Sequence, residues 1–470
     1  MPPLSSVPRS RPATLCLGLF LLIGFSLHLS GAETNPPWKT LTPEQKLKLP
    51  DGPRWDTLNL SSCYELALLR MESIGLSEQE IRIAQARYRE AIGAALPSVH
   101  VLGDQFIFKD RGNDFNSPVA GGGFGSKNLQ PRQARVNVKV PLFSGLRDIQ
   151  IAKAAKAEVE GNRQTLRQVR QNLYLNVAES FYQVLSYEED LQILADVQKT
   201  LNDRSDELDK RVKLGKSRDS ESLQARSLLA QTKVNVERTR GLLAASREML
   251  AFYVGVPSER WSLKDDAPPP PSSLELGEYL SQTTGRPDVL AAIQMERSAR
   301  AQLSAAKGEH WGKLSFEGNY TFYDSDSQRD GDWSGYLTLD IPIFEGGSIE
   351  ARVDQRKAIF AQKKLDLSQL EREAQRDVRS YFNQFNATVA ELARLNEAVD
   401  TARQNYQAQR ADYDLRVVNN LDVLDALNNF LTLTRDKSTA RMNVRLNLIR
   451  LYVAAGTAAE GSGLMQQAAK

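Results

Sequence analysis

Gly215-Lys216-Ser217 has the form of the end of a phosphate-binding loop. Such a loop needs a glycine five places before its Gly-Lys pair and a strand leading into it, so that bare backbone amides can cradle phosphate. Lys210 stands in that place and no strand pattern precedes it, which excludes nucleotide binding. The other groups that carry catalysis are scarce. The 470 residues hold three histidines and two cysteines, and no nucleophile elbow is present. An exported hydrolase built on a nucleophile and a base is therefore excluded. Imidazole-rich metal sites are disfavoured on the same ground. No catalytic, cofactor-binding or metal-binding set is expected.

The elements must then explain the chain. Arg9 and Arg11 precede an apolar stretch from Ala13 to Leu29, followed by the small residues Ser30-Gly31-Ala32. This reads as a signal peptide over residues 1–32, cleaved after Ala32. Cys16 lacks the small preceding residue of a lipidation site, so no lipid anchor is expected. The mature chain carries 58 basic and 58 acidic residues. That balance argues against a nucleic-acid partner. His100, His310 and Cys63 remain, and one cysteine allows no disulfide framework. No later apolar run is long enough to span a membrane as a helix.

An internal repeat organises the rest. At a fixed offset of 201, Pro141 pairs with Pro342, Phe143 with Phe344, Gly145 with Gly346, Phe181 with Phe382, Leu214 with Leu415 and Gly255 with Gly456. A register that long without a gap means duplication of one unit. The first unit covers 33–256 and the second 276–456, joined by a proline-rich linker over 257–275 and followed by a polar tail over 457–470. The linker, with Pro268 to Pro271, is not expected to be helical and reads either as a plain spacer or as a belt around the helices. Extra residues in the first copy, Gly112 to Pro131, read as a surface loop.

Each copy holds a long run without proline. In the second, Ser348 to Ala455 contains neither glycine nor proline, and apolar residues recur at Leu367, Leu370, Ala374, Val378, Tyr381, Phe385 and onward to Tyr406. Steps of three and four over this length predict a coiled-coil seam. A helix from Leu146 to Leu214 would be roughly 100 Å long, longer than any single globular domain needs. The turns are expected at Leu214-Gly215-Lys216 and at Arg416-Val417-Val418, with Asn419 and Asn420 tolerating left-handed backbone angles.

Before each long helix the period becomes two. Leu314, Phe316, Tyr320 and Phe322 alternate with Ser315, Glu317, Asn319 and Thr321; Val136, Val138, Val140 and Leu142 alternate with Arg135, Asn137 and Lys139; Leu337, Leu339, Ile341 and Ile343 alternate with Thr338, Asp340 and Pro342. Such strands suit an outer-membrane barrel, apolar toward lipid and polar toward the lumen. A soluble sheet with one covered face is the alternative. Four strands do not close a barrel, which needs about eight; three chains would supply twelve. At each strand-to-helix joint, Pro141 and Pro342 end a ladder, Phe143 and Phe344 suit an interface, and Gly145, Gly346 and Gly347 permit a sharp change of direction.

Signal peptide, duplicated strand–strand–long-helix unit, the motif Pro-[LI]-Phe-x-Gly at each joint and LDVLDALN from Leu421 together resemble the TolC family of outer-membrane channel tunnels. Leu60 to Leu68 and Arg286-Pro287-Asp288 resemble the openings of the family's two copies. The resemblance implies a mainly α fold with a transmembrane β-barrel. In it, a homotrimer pools four strands per chain into a twelve-stranded barrel in outer-membrane lipid, continued by a coiled-coil α-helical tunnel in the periplasm of a Gram-negative-type cell. It also implies a passive exit duct for efflux or type I secretion, docked on a periplasmic adaptor (membrane fusion) protein and an inner-membrane transporter.

By the same resemblance, Asp422 and Asp425 line the periplasmic constriction, Tyr413 ties its closed end and Glu221 supplies an acid from the first hairpin. Leu214, Gly215, Lys216, Val417 and Val418 form adaptor-docking tips. Two departures stand out. Arg416 occupies the place of a usual turn glycine, and Val418 that of a locking arginine in some members; pairing of Arg416 with Glu221 or Asp422 is one substitute for the lock. Asp422 also reads as a helix N-cap and Tyr413 as seam packing. An exported structural or adhesive coiled coil without channel activity is the alternative function.

Overall fold

The computed structural model describes residues 55–105, 132–271, 274–324 and 331–457. The expected signal peptide, the loop Gly112 to Pro131 and the tail from residue 458 lie outside the described residues.

The repeat is visible as geometry. Helix α1 (Leu60–Arg70) and α2 (Glu72–Gly93) lead into strands β2 (Ser98–Gln105) and β3 (Arg132–Phe143), a short β1 (Trp55–Leu58) preceding them. Then come α3 (Arg147–Lys213) and α4 (Asp219–Val254). After the linker strand β4 (Trp261–Leu263), the second copy gives α5 (Leu276–Gln282), α6 (Pro287–Lys307), β5 (Lys313–Asp324), β6 (Asp332–Asp340), α7 (Ser348–Asp414) and α8 (Asn420–Ala455). The long helices α3 and α7 each have 67 residues, and the returning helices α4 and α8 each have 36. At 1.5 Å per residue the long pair spans about 100 Å.

The seam read from spacing is the packed face of α7: Ala374, Val378, Phe385, Val399 and Ala402 are buried and the intervening seam positions half-buried. Three cores result. Phe181, Val177, Val184, Leu250 and Val254 pack with Cys63, Tyr64 and Trp261. Leu201, Leu208, Val423, Leu424 and Tyr413 form a second core at the hairpin tips, and Tyr279, Val378 and Leu451 a third. Burial pushes the Cys63 thiol up to about 12, so it stays protonated and behaves as a small apolar side chain.

Strands pair antiparallel in the order β2-β3-β5-β6, leaving β2 and β6 as edges. β6 stops at Asp340, so Ile341, Pro342 and Ile343 lie beyond the strand that the alternation suggested, whereas Pro141 falls inside β3 next to a register shift. The joints turn through left-handed residues: Gly145 (φ 64) and Leu146 (φ 61) in the first copy, Gly346 (φ 62) and Gly347 (φ 80) in the second. Gly145 has a further reason. A Cβ there would lie 2.1 Å from the Gly308 carbonyl oxygen, because the start of α3 rests on the end of α6. At Gly346 and Gly347 an added Cβ meets nothing within 4 Å.

The linker contains one 3-10 turn, Ser258–Arg260, where no helix was expected, and β4 pairs in parallel with β1. Trp261 is buried and donates from its indole to the Val256 carbonyl at 3.2 Å. Arg445 of α8 donates to the carbonyls of Ala267 (3.0 Å) and Pro268. This part of the linker is thereby fastened to the helices.

Candidate functional site: the hairpin tips and the two-faced sheet

The two helical hairpins meet at their tips through polar groups, of which Arg204 and Arg211 carried no signal in the sequence. Asn420, the first residue of α8, is fully buried, and its amide is used at both ends. Its Oδ1 accepts from Arg204 Nε at 3.0 Å, and its Nδ2 donates to the Glu221 carbonyl at 3.3 Å. Satisfying both ends removes the cost of burying a carboxamide and fixes α8 against α3 and α4. The Arg204 guanidinium also lies 4.0 Å from the centre of the Tyr413 ring, and that of Arg211 5.0 Å from it. Arg211 pairs with Asp414 at 3.2 Å and with Glu207 at 2.7 Å. Burial works against the Arg211 charge, but Glu207, Tyr413 and Asp414 outweigh it and hold its pKa above the ordinary value.

Tyr413 is thus both seam packing and the ring beneath two arginines. Asn419 is extended (φ −92) and caps α8; its Oδ1 accepts from Leu421 N and Asp422 N, while Asp422 Oδ2 accepts from Asn419 N at 3.1 Å. Asp422 is therefore the third helical residue of a capping box and not the cap itself. The left-handed residue of this turn is Arg416 (φ 64), matching Gly215 (φ 63) in the first copy; neither Asn419 nor Asn420 is left-handed. Arg416 forms no ion pair with Glu221 or Asp422 among the described residues, and the Glu221 carboxylate instead accepts from Ser217. Asp422 and Asp425 both remain exposed on α8, while Val423, Leu424, Ala426 and Leu427 between and beside them are buried.

Beyond this network the tips are bare and apolar: Leu214, Leu415 and Val417 are each about two-thirds exposed or more, at 68, 74 and 72%. Gly215 and Lys216 are exposed beside them, whereas Val418 is half-buried against the tip core.

At the other end, the sheet has two faces. On one, Lys139 pairs with Glu317 at 2.8 Å, Tyr336 donates to Glu317 at 2.6 Å, and Asn137 donates to Asn319 at 2.9 Å. On the other, Val136 lies opposite Tyr320 and then Trp333, and Val140 opposite Phe316 and then Leu337. Trp333 and Leu337 are 81% and 65% exposed, so this apolar face has no cover among the described residues. None of the described helices is long and apolar enough to cross a membrane.

A sheet bearing a polar and a bare apolar face, continued by duplicated helical hairpins, agrees with a family model that matches residues 63–256 and 282–457, described as outer membrane efflux protein. The chain belongs to the outer membrane efflux protein family. Relatives in that family include the outer membrane protein TolC of Escherichia coli (strain K12), 24% identical over 420 residues covering 85% of this chain and 82% of the relative. TolC of Vibrio cholerae is also 24% identical, over 302 residues, 62% of this chain and 69% of its own. In fold, the chain is similar to the crystal structure of CusC, with a TM-score of 0.75 at 19% identity over 87% of this chain and 95% of that one. As a family member the chain is an outer-membrane efflux channel protein, with a helical barrel and a β domain.

Proposed function

We propose that this efflux-family chain works as a homotrimer, the passive exit duct of a tripartite efflux or type I secretion system. The observation that carries the reading is the sheet: among the described residues β2 and β6 end it with unpaired edges, and both of its faces are uncovered. Unpaired edges in lipid would leave backbone groups without partners, so the sheet must close on copies of itself. Three copies give twelve strands with Lys139, Glu317, Tyr336, Asn137 and Asn319 inside and Val138, Phe316, Trp333 and Leu337 toward lipid.

The helices then continue the duct away from the membrane, and the tips close it. Asp422 and Asp425 supply six carboxylates around the constriction, attracting cations. The Arg204–Asn420–Glu221 and Arg204–Tyr413 contacts hold the second hairpin against the first, taking the place of the lock that Arg416 does not form. The bare Leu214, Leu415 and Val417 suit docking to a periplasmic adaptor, and through it to an inner-membrane transporter. A spacer without a channel has no use for a polar lumen face.

The test is native mass determination of the purified protein together with single-channel recording in planar bilayers. A trimer with discrete conductance steps is expected. A chain that inserts but passes no ions sinks the duct.

A further inference from the structure

We propose that the groove between α3 and α6 binds the anionic headgroup of a phospholipid in the periplasmic leaflet of the outer membrane; this rests on the duct reading for which side of the helices faces outward. The groove has a volume of about 480 Å³ and is lined by Lys153, Lys156 and Glu160 from α3 and by Arg297 and Arg300 from α6. Lys153, Lys156 and Arg297 are exposed and make no ion pair among the described residues; Glu160 is engaged by Arg163 at 2.8 Å and Arg300 by Glu296 at 2.7 Å. In a chain whose mature charges balance, three unpaired cations converging from two helices are a local positive excess that suits an external anion.

The position fits a headgroup. Lys153 and Lys156 lie six and nine residues beyond Arg147, the first residue of α3 below the sheet. At 1.5 Å per residue that is about 9 and 14 Å, within reach of the interface for a side chain that extends toward it. Arg300 and Arg297 lie at comparable depth below the end of α6 at Lys307.

Orientation follows from which residues of α3 meet its neighbours. Glu158 accepts from Ser298 (3.0 Å) and Gln302 (3.2 Å) of α6, and Gly161 is where α6 comes closest, a Cβ there falling 2.8 Å from Met295 Cε. Asn162 donates to Glu80 of α2 at 3.5 Å. These positions occupy one half of α3, and Lys153 and Lys156 fall on the other. In a closed wall the neighbours lean toward the concave, lumen side, so the free half looks outward. Because α3 and α6 are inner members of the order α2-α3-α6-α7, a second copy packed at α2 or α7 leaves the groove uncovered.

The full-length protein, titrated with phosphatidylglycerol or phosphatidylcholine and weighed intact by native mass spectrometry, tests this. Wild type should retain phosphatidylglycerol preferentially, and more weakly at higher salt. Each charge removed, singly in K153Q, K156Q and R297Q or together in the neutralised triple K153Q/K156Q/R297Q, should lower its apparent affinity roughly fivefold. The K153R/K156R/R297K triple, which keeps the charges, should bind as wild type does, and so should K233Q/R238Q, which removes exposed cations from α4. Equal retention of the two lipids by wild type, or unchanged retention by the neutralised triple, overturns the proposal. A shifted reversal potential in the neutralised triple also overturns it, since the cations would then face the conduit. A wild type that retains phosphatidylglycerol but conducts nothing fails the duct reading alone.

Discussion

The Arg204 guanidinium lies 4.0 Å from the centre of the Tyr413 ring, joining the long helix of one repeat to that of the other at the tip. The Arg204 side chain is only 10% exposed, so the attraction is little screened and should exceed that of a surface pair, about 1 kcal/mol or more. Truncating both partners should therefore cost less than the sum of the single truncations. Arg204→Ala and Tyr413→Leu should each raise open-state occupancy in bilayer recordings, and their double mutant should show the same coupling. Strict additivity would mean that the two residues act separately.

Asp422 and Asp425 are exposed on one helix with their apolar neighbours turned inward. If they line the constriction, D422N/D425N should reduce cation selectivity and block by multivalent cations. The capping box loses one charged acceptor in the process, a loss of about 1 kcal/mol at most. The single variant D425N separates the effects, because Asp425 takes no part in the cap. Unchanged reversal potentials in both variants would remove these carboxylates from the constriction.

Arg416 adopts φ 64, where an L side chain is strained by about 1 kcal/mol. Arg416→Gly should relieve that strain and slow amide exchange in the turn between α7 and α8, whereas Arg416→Ala should not. Faster exchange in the glycine variant would reveal a stabilising contact made by the arginine side chain.

Gly145 and Gly346 stand in equivalent places but should tolerate alanine differently. At Gly145 the new methyl collides with the Gly308 backbone, while at Gly346 only the left-handed φ opposes it. Gly346→Ala should cost about 1 kcal/mol. Gly145→Ala should cost several times that, seen as a lower thermal transition or failure to assemble. Equal costs would contradict the close approach of α3 and α6.

The Asp209 carboxyl is held below its usual range, first by the hydrogen bond from the Ser222 hydroxyl and then by Arg226, whose Nη2 is 2.6 Å away. A carboxyl whose folded pKa is lowered contributes stability that is complete above the ordinary Asp value of about 3.9 and is lost as pH falls through the folded value. Protection factors against amide exchange at the start of α4 should therefore fall in acid below about pH 4, and Asp209→Asn should abolish that fall. An acid response that persists in the asparagine variant would assign it to another group.

Most of the scaffold could be read in one dimension because its signals are periodic. The 201-residue register returns as paired helices of identical length, and the apolar steps of α7 are the residues that the fold buries. Local backbone chemistry was only half legible. The left-handed residue of the second turn is Arg416, equivalent to Gly215 in the first copy, and not Asn419 or Asn420, whose tolerance for such angles pointed there. Asn420, which looked like a turn residue, became the buried hub of the tip.

The sequence alone determined that this is an exported, duplicated chain with lipid-compatible strands and rod-like helices, since composition, repeat and period are properties of neighbours along the chain. The tertiary structure decided which cations meet the Tyr413 ring, why Gly145 must lack a side chain, and which cations between α3 and α6 have no ion pair among the described residues. Those outcomes depend on distances between segments that lie more than a hundred residues apart, and no local spacing encodes them.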